Sequence, residues 1–272
     1  MAGRLLELAY AAGVAAESAR GLRGAALVQL CPGMGEAERR RAAGRIEGLR
    51  FVREAMRRFD DWAVTRSGGV GALGFPPLVV AGAQHWPAGG LLVVAWHAGL
   101  GRPLLAALAA MGRTGIILKF ETSAPVCGFE VVATGWTVAE RARAFAKALE
   151  RLRCGQTVVV FLDAQNPARA LERPRPMLGR VIGTTVGPAA LARLSGVATV
   201  LAESTWVGGQ APLRVRFEGA VAAPVDRAAE DAWTDRLYAE FERRFAVEPG
   251  ELWPVSLAFL VGSPVADSGQ SA

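Results

Sequence analysis

Two patterns of apolar residues run through the chain. In residues 36–62, apolar side chains recur at mostly three- and four-residue spacings among charged ones, which predicts an amphipathic helix. Elsewhere, apolar residues form short continuous runs, which are typical of strands buried on both faces. These runs are LLVVAW (91–96), GIILKF (115–120), FEVVA (129–133) and TVVVFL (157–162). Later, ATVLAEST and LRVRFE flank a Gly-Gly turn and predict a hairpin.

Helix signals separate these runs. Prolines and a capping box mark helix starts, and glycines mark helix ends. The signals are Pro103 with Gly112, Thr137 and Glu140 with Gly155, and Pro188 with Gly196, and a last helix is predicted from about Ala228 to Phe245. Strands that alternate with helices predict an α/β fold: an αβα sandwich with a largely parallel central sheet and helices on both faces. We expect an N-terminal helical segment (1–66) and an α/β domain (67–272), together forming one compact unit.

The composition suits one large core and narrows the possible chemistry. Of the 272 residues, 51% are hydrophobic and 21% are charged. The three cysteines lie far apart and there are two histidines, so neither a disulfide framework nor a His/Cys metal site is expected. The net charge of +6 comes almost wholly from arginine, which suits phosphate or carboxylate partners, although a codon preference explains it equally well. Arginine and glutamate alternate rather than forming one basic block, so no nucleic-acid partner is expected.

Two apolar segments were considered as possible membrane elements. Residues 67–101 carry no charged side chain before Arg102, but prolines and glycines interrupt them, so one spanning helix is not expected. Leu5 to Ala16 is apolar but carries Glu7 and is too short to span. It either lies on a membrane surface or packs on the core, and packing is favoured.

Candidate chemistry stands at the ends of two predicted strands. His97 follows LLVVAW and Asp163 follows TVVVFL. Because parallel strands end at one edge of a sheet, both side chains are expected to face the same crevice. A carboxylate beside an imidazole suits a general base, since it fixes the tautomer and stabilises the imidazolium. The alternatives are a structural histidine and, for Asp163, a turn cap.

Two other features suit anionic ligands. The loop that follows Asp163 is rich in arginine and would suit a phosphate or phosphopantetheine arm, but charge runs are usually solvated, so only Arg180, next to Gly179, is retained as a candidate. Separately, Gly99-Leu-Gly101 follows a strand and opens a helix, as in a dinucleotide-binding fingerprint, although Leu104 stands where the third glycine belongs. A nucleotide-binding oxidoreductase therefore stays an alternative.

Four segments stand in the order of the conserved blocks of a known family. They are GEAERRRAAGRIEGLRFV, VAGAQHWPAGGLLVVAWHAGLG, GQTVVVFLDAQ and MLGRVIGTTVGPAALARLSGVATV. Over roughly residues 30 to 255 the chain resembles the lysophospholipid acyltransferase superfamily, and within it the bacterial lipid A late acyltransferase type. The second segment is similar to the block that carries the family's His-x4-Asp/Glu motif. The fourth segment is similar to the family's block that contains Gly-Arg and Thr-x-Gly-Pro.

The resemblance implies transfer of a fatty acyl group from a thioester, on coenzyme A or acyl carrier protein, to a hydroxyl or amine. The thioester is a co-substrate, and no cofactor is implied. His97 would be the base, and the substrate-binding positions would be Gly99, Arg102, Arg180, Thr185 and Gly187. The acceptor would be a lipid or a specialised metabolite. The expected location is cytoplasmic, or peripheral on the inner face of the cell membrane, whose surface would then be a further partner.

The chain departs from this family at one decisive position. The acid of His-x4-Asp/Glu should stand at position 102, where the residue is Arg102. The basic segment common near the end of lipid A enzymes is also missing, so lipid A is not assumed as the acceptor. Either Asp163 supplies the missing acid from a neighbouring strand, or the protein is a non-catalytic acyl- or lipid-binding relative.

Overall fold

A seven-stranded sheet forms the centre of the molecule. The computed structural model describes residues 2–67, 78–83, 86, 88–99, 101–120, 123–162, 172–208 and 213–251. The strands are β1 (Leu78–Ala81), β2 (Leu91–Gly99), β3 (Gly115–Lys119), β4 (Glu130–Ala133), β5 (Thr157–Phe161), β6 (Glu172–Met177), β7 (Arg180–Thr185), β8 (Thr199–Trp206) and β9 (Leu213–Phe217). Seven of them form the main sheet in the order β1-β9-β8-β2-β5-β3-β4, and β6 and β7 pair separately.

Seven helices surround the strands within the described part of the chain. They are α1 (Ala2–Arg20), α2 (Leu22–Leu30), α3 (Glu36–Ser67), α4 (Gly101–Ala110), α5 (Val138–Arg153), α6 (Gly187–Ser195) and α7 (Ala229–Val247). The predicted capping box of Thr137 and Glu140 is formed at the start of α5. Gly196 adopts the left-handed conformation just after α6, with a φ of 69°, as its predicted place at a helix end requires.

The predicted fold class is confirmed. All pairs of the main sheet are parallel except β8 with β9, which form the predicted hairpin. Alternate residues of β2 enter two separate cores. Leu91, Val93 and Ala95 pack against α4, and we call this side the α4 face. Leu92, Val94 and Trp96 pack on the other side, the α7 face, against α5, α6 and α7.

The N-terminal helices lie against the carboxyl edge of the sheet. Val52 and Met56 of α3 pack with Trp206 and Leu213, which end β8 and begin β9 at that edge. Arg45 donates a hydrogen bond to the Trp206 carbonyl over 2.8 Å. Helix α3 therefore crosses the edge at which a ligand site is expected in a parallel sheet. The domain boundary at residue 66 stays a prediction.

Two strand predictions were incomplete. The segment before Arg180 was predicted as a loop, but residues 172–177 form β6 and pair with β7 in an antiparallel hairpin. No strand was predicted in the region before Leu91, yet Leu78–Ala81 forms the edge strand β1 beside β9. None of the helices in the described ranges is both long enough and apolar enough to cross a bilayer.

Candidate active site at the carboxyl edge of the sheet

Three adjacent parallel strands end at one level. Ala95 of β2 pairs with Phe161 of β5, and the Leu162 amide donates to the Ala95 carbonyl over 2.9 Å. In β3, Ile117 pairs with Val159 of β5, so Lys119, two residues further on, is level with Phe161. Ala95, Phe161 and Ile117 share the α4 face, and strand alternation puts Lys119 on it too.

His97 lies in an irregular part of β2. Between the pairs Ala95–Ala202 and Gly99–Ser204, β2 advances by four residues while β8 advances by two. The two additional residues form a bulge with His97 at its centre. Such bulges re-aim side chains and are common beside active sites. The side chain of His97 itself lies outside the described part of the structure.

Asp163 lies outside the described residues. In the sequence it stands two residues after Phe161, as His97 stands two residues after Ala95. The register pairs Ala95 with Phe161, so the two strands deliver their next residues to one edge, as the sequence argument required. Contact between the two side chains stays a prediction.

The residues after the bulge enter α4 directly. Gly99 ends β2 and pairs with Ser204, and Gly101 and Arg102 begin α4. A Cβ atom at position 101 would lie 3.3 Å from Cζ of Phe161, so the first turn of α4 sits closely over the end of β5. Leu104 is buried on the α4 face, where a dinucleotide fingerprint would have its third glycine for close helix packing.

Three cations from three elements act on one another at this edge. They are Arg53 of α3, Arg102 of α4 and Lys119 of β3, which we call the cationic cluster. Burial lowers the pKa of Lys119, and the charges of Arg53 and then Arg102 lower it further. Burial also raises the pKa of the Cys127 thiol, which the positive charge of Arg102 partly opposes. Lys119 is therefore partly desolvated and lies within reach of the charges of two arginines.

The other predicted binding residues are spread along β7. Arg180 begins this strand and Thr185 ends it, so their Cα atoms are roughly 16 Å apart at about 3.3 Å per residue. The Gly187 amide donates to Oγ1 of Thr185 over 3.4 Å at the start of α6. Thr185 and Gly187 are thus together, while Arg180 is at the other end of the strand. One compact site cannot hold all three positions.

Two arginines of the predicted basic loop have structural partners. Arg173 forms an ion pair with Asp231, and Arg175 forms ion pairs with Asp231 and Asp235, which fastens the β6–β7 hairpin to α7. Leu178, in the turn before Arg180, donates its amide to Glu242 of the same helix over 2.7 Å. Leaving Arg173 and Arg175 out of the candidate site is consistent with these contacts.

Sequence reasoning did not select Arg53, Lys119 or Ser204. The sequence alone could have identified Lys119 as a candidate, because it is one of two lysines and ends a predicted strand. The sequence could not have identified Arg53, because it is one of many arginines on an amphipathic helix. Ser204 is buried at 6% exposure at the end of a predicted strand, and only the register reveals that it pairs with Gly99.

The chain was compared with known proteins. No protein-family model and no curated protein matches it. Among solved structures, it is similar to the crystal structure of the 1-acyl-sn-glycerophosphate (LPA) acyltransferase PlsC from Thermotoga maritima. The alignment has 17% sequence identity and a TM-score of 0.41, and covers 89% of this chain and 96% of that one. A likeness of this degree carries no conclusion about activity or residue roles.

Proposed function

We propose that this protein is an acyltransferase of the lysophospholipid acyltransferase type, with His97 as its general base. The observation that carries the proposal is the register of the sheet. It brings the end of β2, with His97, and the end of β5, which Asp163 follows, to one level of the same edge. The sequence argument required both strands to run parallel and to end at this edge.

The chemistry needs few groups. His97 takes the proton of an acceptor hydroxyl or amine as that atom attacks the thioester carbonyl. The tetrahedral intermediate then collapses, the carbon–sulfur bond breaks, and the imidazolium returns the proton to the leaving thiolate. Asp163 is the candidate for the acid that orients the imidazole, because position 102 holds an arginine.

The cationic cluster supports a substrate with an anionic group. A phosphate on the donor, as in coenzyme A or phosphopantetheine, or on a lipid acceptor would offset the positive charges that lower the pKa of Lys119. In this proposal Arg102, which stands where the family has its acid, binds the anionic group. An arginine beside the imidazole would instead make formation of the imidazolium unfavourable.

The test is acyl transfer by a His97→Ala variant. Wild-type protein is incubated with acyl-coenzyme A or acylated carrier protein and candidate acceptors, and products are followed by mass spectrometry. Loss of a general base should lower the rate about 10²- to 10⁴-fold. His85→Ala, the same change at the other histidine, should have a much smaller effect. Full activity of a folded His97→Ala variant would refute the mechanism.

Arg102 also favours a second candidate function, a non-catalytic acyl- or lipid-binding protein. In that case the acidic partner of the histidine was lost with catalysis, while the anion-binding edge was kept. Extraction of the purified protein would then yield a bound lipid, identified by mass spectrometry, and no donor and acceptor pair would react. Turnover with any pair would exclude this function.

A further inference from the structure

Lys119 is held by its backbone at the edge of the sheet where the candidate active site lies. It is the last residue of β3, and its carbonyl accepts hydrogen bonds from the amide and the hydroxyl of Thr134 over 2.7 and 3.1 Å. The register of β3 with β5 puts it level with Phe161. The backbone of Lys119 is therefore fixed in the sheet, and its amine can move only through rotations of the side chain.

The two lysines of the chain have opposite electrostatic surroundings. Lys147 of α5 forms an ion pair with Glu130 of β4, which favours the charged ammonium form. In the described part of the chain, the charges that act on Lys119 are those of Arg53 and Arg102, and both are positive. Burial and these like charges favour the uncharged amine and lower the pKa of Lys119.

These surroundings make the Lys119 amine a nucleophile. Lysines become nucleophilic in proteins when they are desolvated or stand next to another cationic group. Lys119 is partly buried and lies within reach of two arginines, yet it is not sealed in the core. The carbonyl carbon of an acyl thioester is an electrophile that amines attack. A thioester bound at this edge therefore meets a reactive amine of the protein itself.

We propose that Lys119 is an acylation site, modified by the acyl thioester that serves as donor. The amine nitrogen attacks the thioester carbonyl carbon, a nitrogen–carbon bond forms, and the carbon–sulfur bond breaks. The proton that the nitrogen loses goes to the leaving thiolate, so the products are an amide on Lys119 and a free thiol. This inference rests on the proposed function for the identity of the donor.

Acylation of Lys119 removes one charge from the cationic cluster. Because an amide nitrogen is not protonated, the modified side chain no longer attracts a phosphate as a cation does. Substrates that carry a phosphate should then bind more weakly, as they should in a Lys119→Gln variant. A donor that accumulates without an acceptor thus lowers the activity of the protein.

The experiment compares the two lysines within one wild-type protein. The protein is incubated with acetyl-coenzyme A, or with the acetyl thioester of N-acetylcysteamine, which carries no phosphate. Acetylation of each lysine is followed over time by mass spectrometry of peptides. With both donors, we expect Lys119 to react at least about fivefold faster than Lys147, the factor that corresponds to an exposed ion pair. An equal or lower rate at Lys119 would overturn the inference.

A substitution in α3 tests the part played by the cations. Arg53→Gln removes one of the charges that act on Lys119, and it should slow acetylation of Lys119 by the phosphate-free thioester about two- to fivefold. Arg40→Gln makes the same change on an exposed turn of α3, where Arg40 pairs with Glu36, and should leave the rate as it is. An unchanged rate in a folded Arg53→Gln protein would also overturn the inference.

The result can be separated from the test of the proposed function, because acetylation is measured without an acceptor. If no acceptor is acylated while Lys119 reacts faster than Lys147, the proposed function fails and the acylation site stands. If an acceptor is acylated while Lys119 reacts no faster than Lys147, the acylation site fails and the proposed function stands.

Discussion

The most consequential single position is 102, where an arginine stands five residues after the proposed base. A cation beside an imidazole disfavours formation of the imidazolium, so a positive side chain there would not replace the missing acid. Under the proposed function, the role of Arg102 is to bind an anionic group of the substrate together with the other members of the cationic cluster. Transfer should therefore depend on an anionic group in the substrate.

A first prediction concerns Lys119. In Lys119→Gln, we expect the KM for a phosphate-bearing substrate to rise about tenfold, since a bond to a charged group is lost, with a small change in kcat. Steady-state kinetics at low and high salt provides the measurement, and the salt dependence should weaken in the variant. Arg40→Gln makes the same charge change on an exposed turn of α3, where Arg40 pairs with Glu36, and is the control. Equal KM values for wild type and Lys119→Gln would contradict anion binding by the cluster.

A second prediction concerns Asp163. If it orients His97, Asp163→Asn should approach the loss seen for His97→Ala, because removal of the orienting carboxylate of a serine-protease triad costs about 10⁴-fold in turnover. Turnover of the folded variant is the measurement. A crystal structure gives an independent check: the carboxylate should lie within hydrogen-bond reach of a His97 ring nitrogen. A carboxylate that points away would transfer the role to Glu121, which follows β3 in the sequence.

Among the elements, the long apolar runs were predictable and the short or proline-rich strands were not. TVVVFL forms the interior strand β5, between β2 and β3, where all five positions of the strand are buried. β6 has the sequence ERPRPM, and proline normally argues against a strand. It is tolerated here because β6 is an edge strand, which pairs with β7 alone among the described strands. At the site, the parallel rule correctly placed the end of β2 beside that of β5. It could not place Arg53, which arrives on α3 through packing of distant residues.

A third prediction tests how α1 is held to α3. The two helices cross at glycines: a Cβ at Gly13 would lie 2.5 Å from the Glu47 carbonyl oxygen, and one at Gly48 would lie 2.7 Å from the Tyr10 ring. The Gly13→Ala substitution must push the backbones of α1 and α3 apart. We expect it to lower the free energy of unfolding by about 1–3 kcal/mol, as measured by urea titration. Gly33→Ala, where nothing lies within 4 Å, is the control and should be close to neutral. Equal stability of both variants would mean that the helices separate without cost.

At the scale of the whole molecule, arginines of α3 and α7 connect these two helices to the β8–β9 hairpin of the sheet. Arg45 of α3 bonds to the end of β8, and Arg244 of α7 forms ion pairs with Glu203 of β8 and with Glu218 after β9. The helix that crosses the candidate site and the helix that covers the opposite face are thus fixed to the same hairpin. Acid that protonates Glu203 and Glu218 should loosen the attachment of α7, whereas the Arg45 bonds, which are to a hydroxyl and a carbonyl, contain no group that titrates in acid.

The last prediction tests the acid sensitivity of the ion pairs of α7 through Glu240, which pairs with Arg244. Hydrogen bonds from Arg243 and Arg244 lower the pKa of Glu240 from 4.5 to about 2. Because the folded pKa is the lower one, the contribution to stability is complete above pH 4.5 and is lost as the pH falls toward 2. The Glu240 side chain is partly exposed, so screening by solvent reduces the effect. In urea titrations across this range, Glu240→Gln should be less stable than wild type at neutral pH and should lose less on acidification. Glu7→Gln, at an exposed position of α1, should follow the wild-type curve. Parallel curves for wild type and Glu240→Gln would show that the arginine contacts do not stabilise the folded state.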